Sequence, residues 1–554
     1  MNSLFLYPWF KLDQLCGFVA LAIGLFFVLT IIYSFTFMKG RPQLLQYYTC
    51  IILTAVVSIG AVLANNLILL LVFWGFLGLT LYLLINMGKG NAYIAAKKTF
   101  IIVGGSDALM LLGIGIIYYL TGTFQIDRIK IFLNSSVQPL PAIAYLCIAV
   151  ACFAKAGAMP FHSWIPDCAE TAPLPVVAFL PASLDKLLGI YLLARISLDL
   201  FVMNQAMNIV LMLVGAFTII AAVMMALVQH NLKRLLGYHA VSQVGYMVLG
   251  IGTGIPIGIA GGIFHMLNHA IYKSCLFFSA GSVEYRTNTS ELDKLGGLAK
   301  FMPITYISCL IASLSISGVP PFNGFVSKWM IYQGLISQNI AGSGLQAVSI
   351  FCLAAAMFGS ALTLASFMKL IHAIFLGQSR DEKSAKVKEV NWTMWLPCLV
   401  LAILCIGFGV FAKQVPLKYF ILPAVEGVSF IGTWYAGLST LLIIAGLLLG
   451  VFIFRLKALK PTLRQDSPFV GGEILDTGEN RVSGREFYNT VKEFGMLKSI
   501  YKKAEAGFFD IYEQGKNFIF GLGKFFQYLH NGILPTYLVW TLIGMISLFF
   551  ILSK

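Results

Sequence analysis

Apolar runs of roughly 17 to 30 residues, each enough to cross about 30 Å of hydrocarbon, recur along the chain from Leu15 to Leu552. They are continuous rather than alternating, which disfavours a β-barrel. About fourteen spans are predicted, near 14–37, 46–64, 65–87, 99–121, 140–158, 174–197, 207–229, 236–252, 257–284, 303–335, 345–376, 393–412, 429–455 and 533–552. The fold class is therefore an all-α polytopic membrane protein.

Two spans are interrupted in matching fashion, by Gly157-Ala158-Met159-Pro160-Phe161 and by Gly318-Val319-Pro320-Pro321-Phe322, each followed closely by a tryptophan, Trp164 or Trp329. A mid-span proline removes a backbone hydrogen bond, and the freed carbonyls must be satisfied by protein or water. Paired broken helices in two halves point to an inverted-repeat transporter with its site near mid-membrane. The expected organisation is an N-terminal span (1–45), a first half-channel repeat (46–198), a second (207–376), accessory spans (377–455), a polar loop with an amphipathic segment (456–532) and a terminal span (533–554). From Glu486 to Leu529, Phe487, Val491, Phe494, Leu497, Tyr501, Phe508, Ile511, Phe518 and Phe525 recur at near-helical spacing. One lateral helix of about 43 residues, roughly 65 Å long, is predicted there, with Gly495, Gly507, Gly515, Gly521 and Gly523 as candidate breaks.

Composition agrees with this pattern. The 554 residues are 59% hydrophobic and 11% charged, against roughly a quarter charged in a soluble domain. The net charge of +15 is unevenly placed. Lys39, Arg41, Lys89, Lys97, Lys98, Lys233, Arg234, Arg286, Lys294, Lys300, Arg380, Lys383, Lys386, Lys388, Arg455, Lys457 and Lys460 fall in loops of one parity, and Lys11, Arg128, Lys130, Lys413 and Lys418 in the other. The positive-inside bias makes the rich side cytoplasmic, with both termini outside and the lateral helix inside, in the cell's inner (cytoplasmic) membrane. The charge thus reads as topology and contact with anionic lipid, and nucleic acid has no place in it. The ten cysteines are scattered singly without a C-x-x-C pair, so iron–sulfur or structural zinc sites are not expected in this chain. The first apolar run, after Lys11 and Asp13, reads as a resident span rather than a cleaved signal.

Ionisable side chains inside spans are functional candidates, because leaving them there is costly unless they are paired or hydrated. The stretch FHMLNHAIYKS puts His265, His269 and Lys273 on one helical stripe, about 6 Å of rise apart. Lys155 precedes the first break and Lys328 follows the second; Asp107 lies in the fourth span, and Asp185 and Lys186 in the sixth. Desolvated lysines beside acids and histidines can pass protons stepwise. Asp185 and Lys186, about 100° apart on a helix, cannot face each other, so at least one needs another partner, for which Lys155 is a candidate. Lys369 and His372, near a span end, are expected to snorkel, and His239, after the basic Lys233-Arg234 turn, to be interfacial. His265 and His269 have the H-x-x-x-H zinc spacing, but Met266 stands where a metalloprotease needs its glutamate, so no metal is expected.

Four motifs in order resemble the antiporter-like membrane subunits shared by respiratory complex I, membrane-bound hydrogenases and multisubunit cation/proton antiporters. They are AKAGAMPFHSWIPDCAETAPLPV with Lys155, LKRLLGYHAVSQVGYM, FHMLNHAIYKSCLFFSAG with the histidines and Lys273, and GVPPFNGFVSKW with Lys328. The lateral segment further looks like the largest complex I subunit of this type. There are departures. In LLLVFWGFLGLTLYLLI, Gly75 stands where the family carries the glutamate that partners the broken-helix lysine. Gly104 stands near Asp107 in place of an arginine, Pro181 in place of a histidine, and Lys186 about one position off the family's lysine. The chain also starts about two helices later than the full-length subunit. Asp185 or Asp107 then substitutes for the glutamate, with Asp185 preferred, or the first half-channel is altered.

The resemblance implies a proton-translocating subunit of a redox-driven, complex I-like translocase, in which Lys155 with an acid and Lys328 switch while His265, His269 and Lys273 connect. The stretch AFLPASLDKLLGIYLLARI looks more like hydrogenase- or ferredoxin-linked relatives than the NADH–quinone enzyme. Redox centres (iron–sulfur clusters with nickel–iron or flavin) are then expected in peripheral partner subunits and none in this chain, alongside antiporter-like membrane partners. Two alternatives remain: a subunit of a multisubunit cation/proton antiporter, and a structural membrane anchor with an impaired first half-channel.

Overall fold

The computed structural model describes residues 9–133, 139–340, 346–377, 387–433, 435–458 and 487–553. The helices are α1 (Gln14–Phe37), α2 (Leu44–Leu63), α3 (Leu67–Asn86), α4 (Ala92–Thr121), α5 (Leu140–Ala156), α6 (Trp164–Thr171), α7 (Leu174–Phe179), α8 (Asp185–Arg195), α9 (Gln205–Leu227), α10 (Leu232–Gly252), α11 (Pro256–Thr287), α12 (Pro303–Ser317), α13 (Asn323–Ile340), α14 (Gln346–Ile371), α15 (Trp392–Val410), α16 (Ala436–Ala458), α17 (Asn489–Glu493), α18 (Gly495–Glu505), α19 (Ile511–Leu529) and α20 (Leu534–Leu552). The strands β1 (Ile131–Phe132) and β2 (Phe201–Val202) pair in parallel at one end of the bundle. The described chain divides into two compact units, Met1–Phe494 and Gly495–Lys554.

Among the described residues, nine helical segments are long and apolar enough to cross a membrane, and three shorter apolar helices accompany them. The expected count of about fourteen is thus not reproduced by length and hydropathy alone, for a physical reason. α10 and α11, both long, carry too many polar side chains to reach that mark, yet they are enclosed over nearly their whole length. Every residue from Leu235 to Gly252 and from Ile257 to Val283 is buried. Protein, not lipid, surrounds them, so they need not be apolar.

α10 lies against α9 at backbone distance. A Cβ added to Gly245 would sit 2.6 Å from the carbonyl oxygen of Gly215, and one on Gly215 would sit 2.7 Å from that of Gly245. Small residues at such crossings let membrane helices approach where no hydrophobic driving force separates them from lipid. α11 packs on α10, α12, α13 and α15 and stands at the centre of the first unit.

The two predicted breaks are present. α5 stops at Gly157 and α12 at Gly318, both left-handed (φ +83° and +81°), a conformation glycine adopts without a Cβ penalty. α6 and α13 resume beyond them. A third irregularity was not predicted: a π turn over Leu180–Leu184, containing Pro181, joins α7 to α8. There the Ser183 hydroxyl donates to the carbonyls of Ala178 and Phe179, and Ser274 of α11 also donates to Ala178, at 2.9 Å.

The single lateral helix is corrected to separate pieces. Breaks fall at Phe494, just before Gly495, and at Gly507 (φ +76°), while Gly515, Gly521 and Gly523 remain inside α19. Asp510 caps α19 by accepting from the Tyr512 N–H, so stop and start signals coincide there. Glu486, and with it most of the polar loop before α17, including Lys460, lies outside the described residues, as do Arg380, Lys383 and Lys386.

Candidate functional site

The first break delivers Lys155 to the middle of the bundle. Its side chain is wholly buried, with Nζ 3.8 Å from Asp185 Oδ1 and 5.4 Å from the ring centroid of Trp74. Neither Lys155 Nζ nor either Asp185 oxygen has a hydrogen-bond partner among the described residues. The two groups thus face each other across a gap slightly longer than a hydrogen bond. Asp107 of α4 also acts on Lys155 electrostatically, and its Oδ1 is buried and unpartnered. At Gly75 an added Cβ would meet nothing within 4 Å, and the residue is exposed, so it is Trp74, one position earlier, that faces Lys155.

Lys186 points the other way round α8, as adjacent helical residues must. Its Nζ stands 5.6 Å from the ring centroid of Trp164 and 3.8 Å from where a Cβ on Gly157 would be. Gly157 therefore both ends α5 and leaves room for Ile165, whose Cδ1 would lie 1.9 Å from an added Cβ. The carbonyl of Ala154, freed by the break, accepts from Trp164 Nε1 at 3.0 Å.

α11 spans from this half of the site to the other. His269 is buried with both ring nitrogens unpartnered, and the cations acting on it are Lys186 and Lys273. Lys273 Nζ donates to the carbonyl of Leu236 at 2.6 Å. His265 pairs through Nδ1 with Ser327 Oγ (2.9 Å) and through Nε2 with Gln243 Oε1 and the Tyr272 hydroxyl, both at 3.2 Å.

The second break holds its lysine differently. Lys328 Nζ donates to the freed carbonyl of Ile316 at 2.9 Å and lies 4.6 Å above the ring centroid of Tyr246. A Cβ on Gly318 would meet Lys328 Cδ at 3.0 Å. Among the described residues Lys328 has no carboxylate within ion-pair distance, so this half relies on a carbonyl and an aromatic face where the other has Asp185.

All seven sequence-selected relay residues, Lys155, Asp185, Lys186, His265, His269, Lys273 and Lys328, are buried. Asp107 is half-buried. Two expectations are corrected. Lys369 does not snorkel: it is fully buried and donates to the carbonyls of Leu227 and Gln229 at the end of α9, both at 2.9 Å. His239 is not interfacial: it is fully buried, with Nε2 2.7 Å from Ser366 Oγ. Both lie seven residues inside their helical segments, about 10 Å from the ends, and counting that rise would have marked them as deep. His372 is exposed, as expected.

Residues 64–357, slightly over half the chain and every relay residue named above, match the family described as NADH:quinone oxidoreductase/Mrp antiporter, TM. The chain belongs to this family. Relatives include Na(+)/H(+) antiporter subunit A1 of Staphylococcus saprophyticus subsp. saprophyticus, 33% identical over 403 residues, which are 69% of this chain and 50% of that protein. The protein of that name in Staphylococcus aureus strain Newman is 32% identical over 468 residues, 78% of this chain and 57% of its own length. The chain thus spans about half the length of the curated relatives it matches. Among solved structures, the Mrp complex from Dietzia sp. DQ12-45-1b aligns with a TM-score of 0.67 at 23% identity, covering 75% of this chain and 84% of that one. The membrane-bound sulfane sulfur reductase, an archaeal respiratory membrane complex, aligns with a TM-score of 0.78 at 24% identity, covering 99% and 90%. These likenesses establish a fold shared with chains of both membrane complexes.

Proposed function

We propose that this chain translocates protons as a subunit of a multisubunit cation/proton antiporter. The observation that carries the reading is the buried line of ionisable groups Lys155–Asp185, Lys186, His269, Lys273, Lys328 and His265, set between two broken helices. Such groups are costly in a membrane and mark ion pathways. The sequence resemblance alone favoured a redox-driven assembly; the relatives at 32–33% identity are Na(+)/H(+) antiporter subunits by name and support the antiporter instead.

In this reading Lys155 and Asp185 close as an ion pair when the lysine is protonated. Opening of the pair releases the proton toward Lys186, and His269 hands it across the repeat junction to Lys273. Lys328, held by a carbonyl rather than an acid, is the terminal switch. The basic end of the bundle faces the cytoplasm.

A redox-driven complex, with its iron–sulfur, nickel–iron or flavin groups in partner subunits, is the second reading. It is favoured by the fold likeness to the sulfane sulfur reductase over nearly the whole chain. Everted vesicles containing the whole complex test both. Proton movement set off by Na⁺ without any reductant is expected, and Lys155→Met or Lys273→Ala should lower it about a hundredfold. Movement only on adding an electron donor, with iron co-purifying, would replace the antiporter by the redox pump. Undiminished transport in Lys273→Ala would remove the relay.

A further inference from the structure

The relay above leaves His239, Ser366 and Lys369 without a role, although all three are fully buried. Lys369 and Ser366 lie one turn apart on one face of α14. Ser366 Oγ is 2.7 Å from His239 Nε2, and His239 Nδ1 is buried and has no partner among the described residues. Two features join His239 to Lys273. The Lys273 ammonium is anchored on the carbonyl of Leu236, one turn before His239 on α10. The Phe367 ring lies 4.8 Å from the His239 ring and 5.8 Å from Lys273 Nζ.

At the outer end of this line, Lys369 is tied to the carbonyls of Leu227, the last residue of α9, and of Gln229 just beyond it, at the basic end of the bundle. The acid acting on it is Asp293, in the turn between α11 and α12, whose Oδ1 is buried and unpartnered. The charged groups facing His239 from the surrounding helices are Lys273 of α11 and Lys328 of α13. Those acting on Lys369 are Asp293 and, with opposite sign, Lys492 of α17.

We propose that Asp293, Lys369, Ser366 and His239 form a proton inlet from the basic end of the bundle to Lys273. The proposal rests on the translocation reading and adds the route by which the second half is loaded. Asp293 collects the proton and gives it to neutral Lys369. The Lys369 ammonium then protonates the Ser366 oxygen as the Ser366 hydroxyl gives its own hydrogen to His239 Nε2. His239 releases the Nδ1 hydrogen to the neutral Lys273 amine, which gains an N–H bond and a positive charge. One proton enters at Asp293 for each that reaches Lys273, and no bond between heavy atoms changes.

Everted vesicles of the whole complex test the inlet. His239→Gln keeps a hydrogen-bonding atom near Ser366 but cannot carry the proton; Ser366→Ala and Lys369→Met remove the next two steps. Each should slow proton movement about tenfold or more in fully assembled complex. Because the steps are in series, the double variant His239→Gln/Lys369→Met should be no slower than the slower single. Wild-type rates in an assembled single variant, or losses that multiply in the double, overturn the inlet. Should His239→Gln fail to assemble, Ser366→Ala, which removes one oxygen, decides on the same criteria. If wild-type vesicles move protons and Lys155→Met abolishes this while His239→Gln does not, the inlet alone falls; if Lys155→Met changes nothing, the translocation reading falls first.

Discussion

Lys155 keeps a carboxylate at 3.8 Å although Gly75 offers none. Asp185 supplies it from a helix that also carries a lysine at the next position, so the same turn of α8 both neutralises one cation and presents another. Removing one partner of a buried pair leaves the other uncompensated, at a cost of about 3–5 kcal/mol, which Lys155 escapes by losing its proton. Asp185→Asn, nearly isosteric, should therefore assemble normally yet lower proton movement about a hundredfold. Asp107→Asn, at a half-buried group, should cost clearly less; both are read from the rate of ΔpH formation per assembled complex. The pairing was legible because adjacent helical residues diverge, which forced one of Asp185 and Lys186 to seek a distant partner. His239 and Lys369 were misplaced because nearness in sequence to a basic turn or a span end stood in for depth, which the helical rise of about 10 Å measures directly.

Two contacts among the helices are sharp enough to test. Gly245 and Gly215 fit α10 against α9 backbone to backbone, and Gly245→Ala inserts a Cβ 2.6 Å from a carbonyl oxygen. Overpacking of this kind costs about 1–3 kcal/mol, so the variant should melt at lower temperature in detergent. At the start of α1, Asp13 accepts from the Cys16 N–H and pairs with Arg195. Partial burial pushes its carboxyl up, but the Arg195 charge and the capping bond outweigh this and hold it below the ordinary value of 3.8. The pair therefore contributes fully above that value and is lost as pH falls through the lower, folded-state value. Melting temperature should drop more between pH 5 and pH 3 in the wild type than in Asp13→Asn. Helix positions were readable from apolar runs, and both Gly-Pro breaks from their composition. The π turn at Pro181 was not, because Ser183 and Ser274 satisfy its loose carbonyl from positions that no local pattern reveals. The lateral segment failed as one helix because left-handed Gly507 is followed by a capping aspartate, whereas the glycines of α19 have no such start signal after them.

For the whole molecule, the unit Gly495–Lys554 is compact in itself. α19 and α20 contain no buried residue, and Phe518, Ile519, Phe520, Phe525 and Phe526 are all exposed. Apolar surface of that extent calls for lipid or a neighbouring membrane subunit. A chain ending at Phe494 should keep its fold, judged by an unchanged protease-resistant core, but lose most of its co-purification with the other membrane subunits. The unequal partners of the two switching lysines have an electrical consequence too. A transmembrane potential exerts about 2.3 kcal/mol on each elementary charge per 100 mV. Lys155 joined to Asp185 presents no net charge to that field, whereas Lys328, when protonated, presents a whole one. Voltage therefore grips Lys328 directly and largely passes over the Lys155–Asp185 pair.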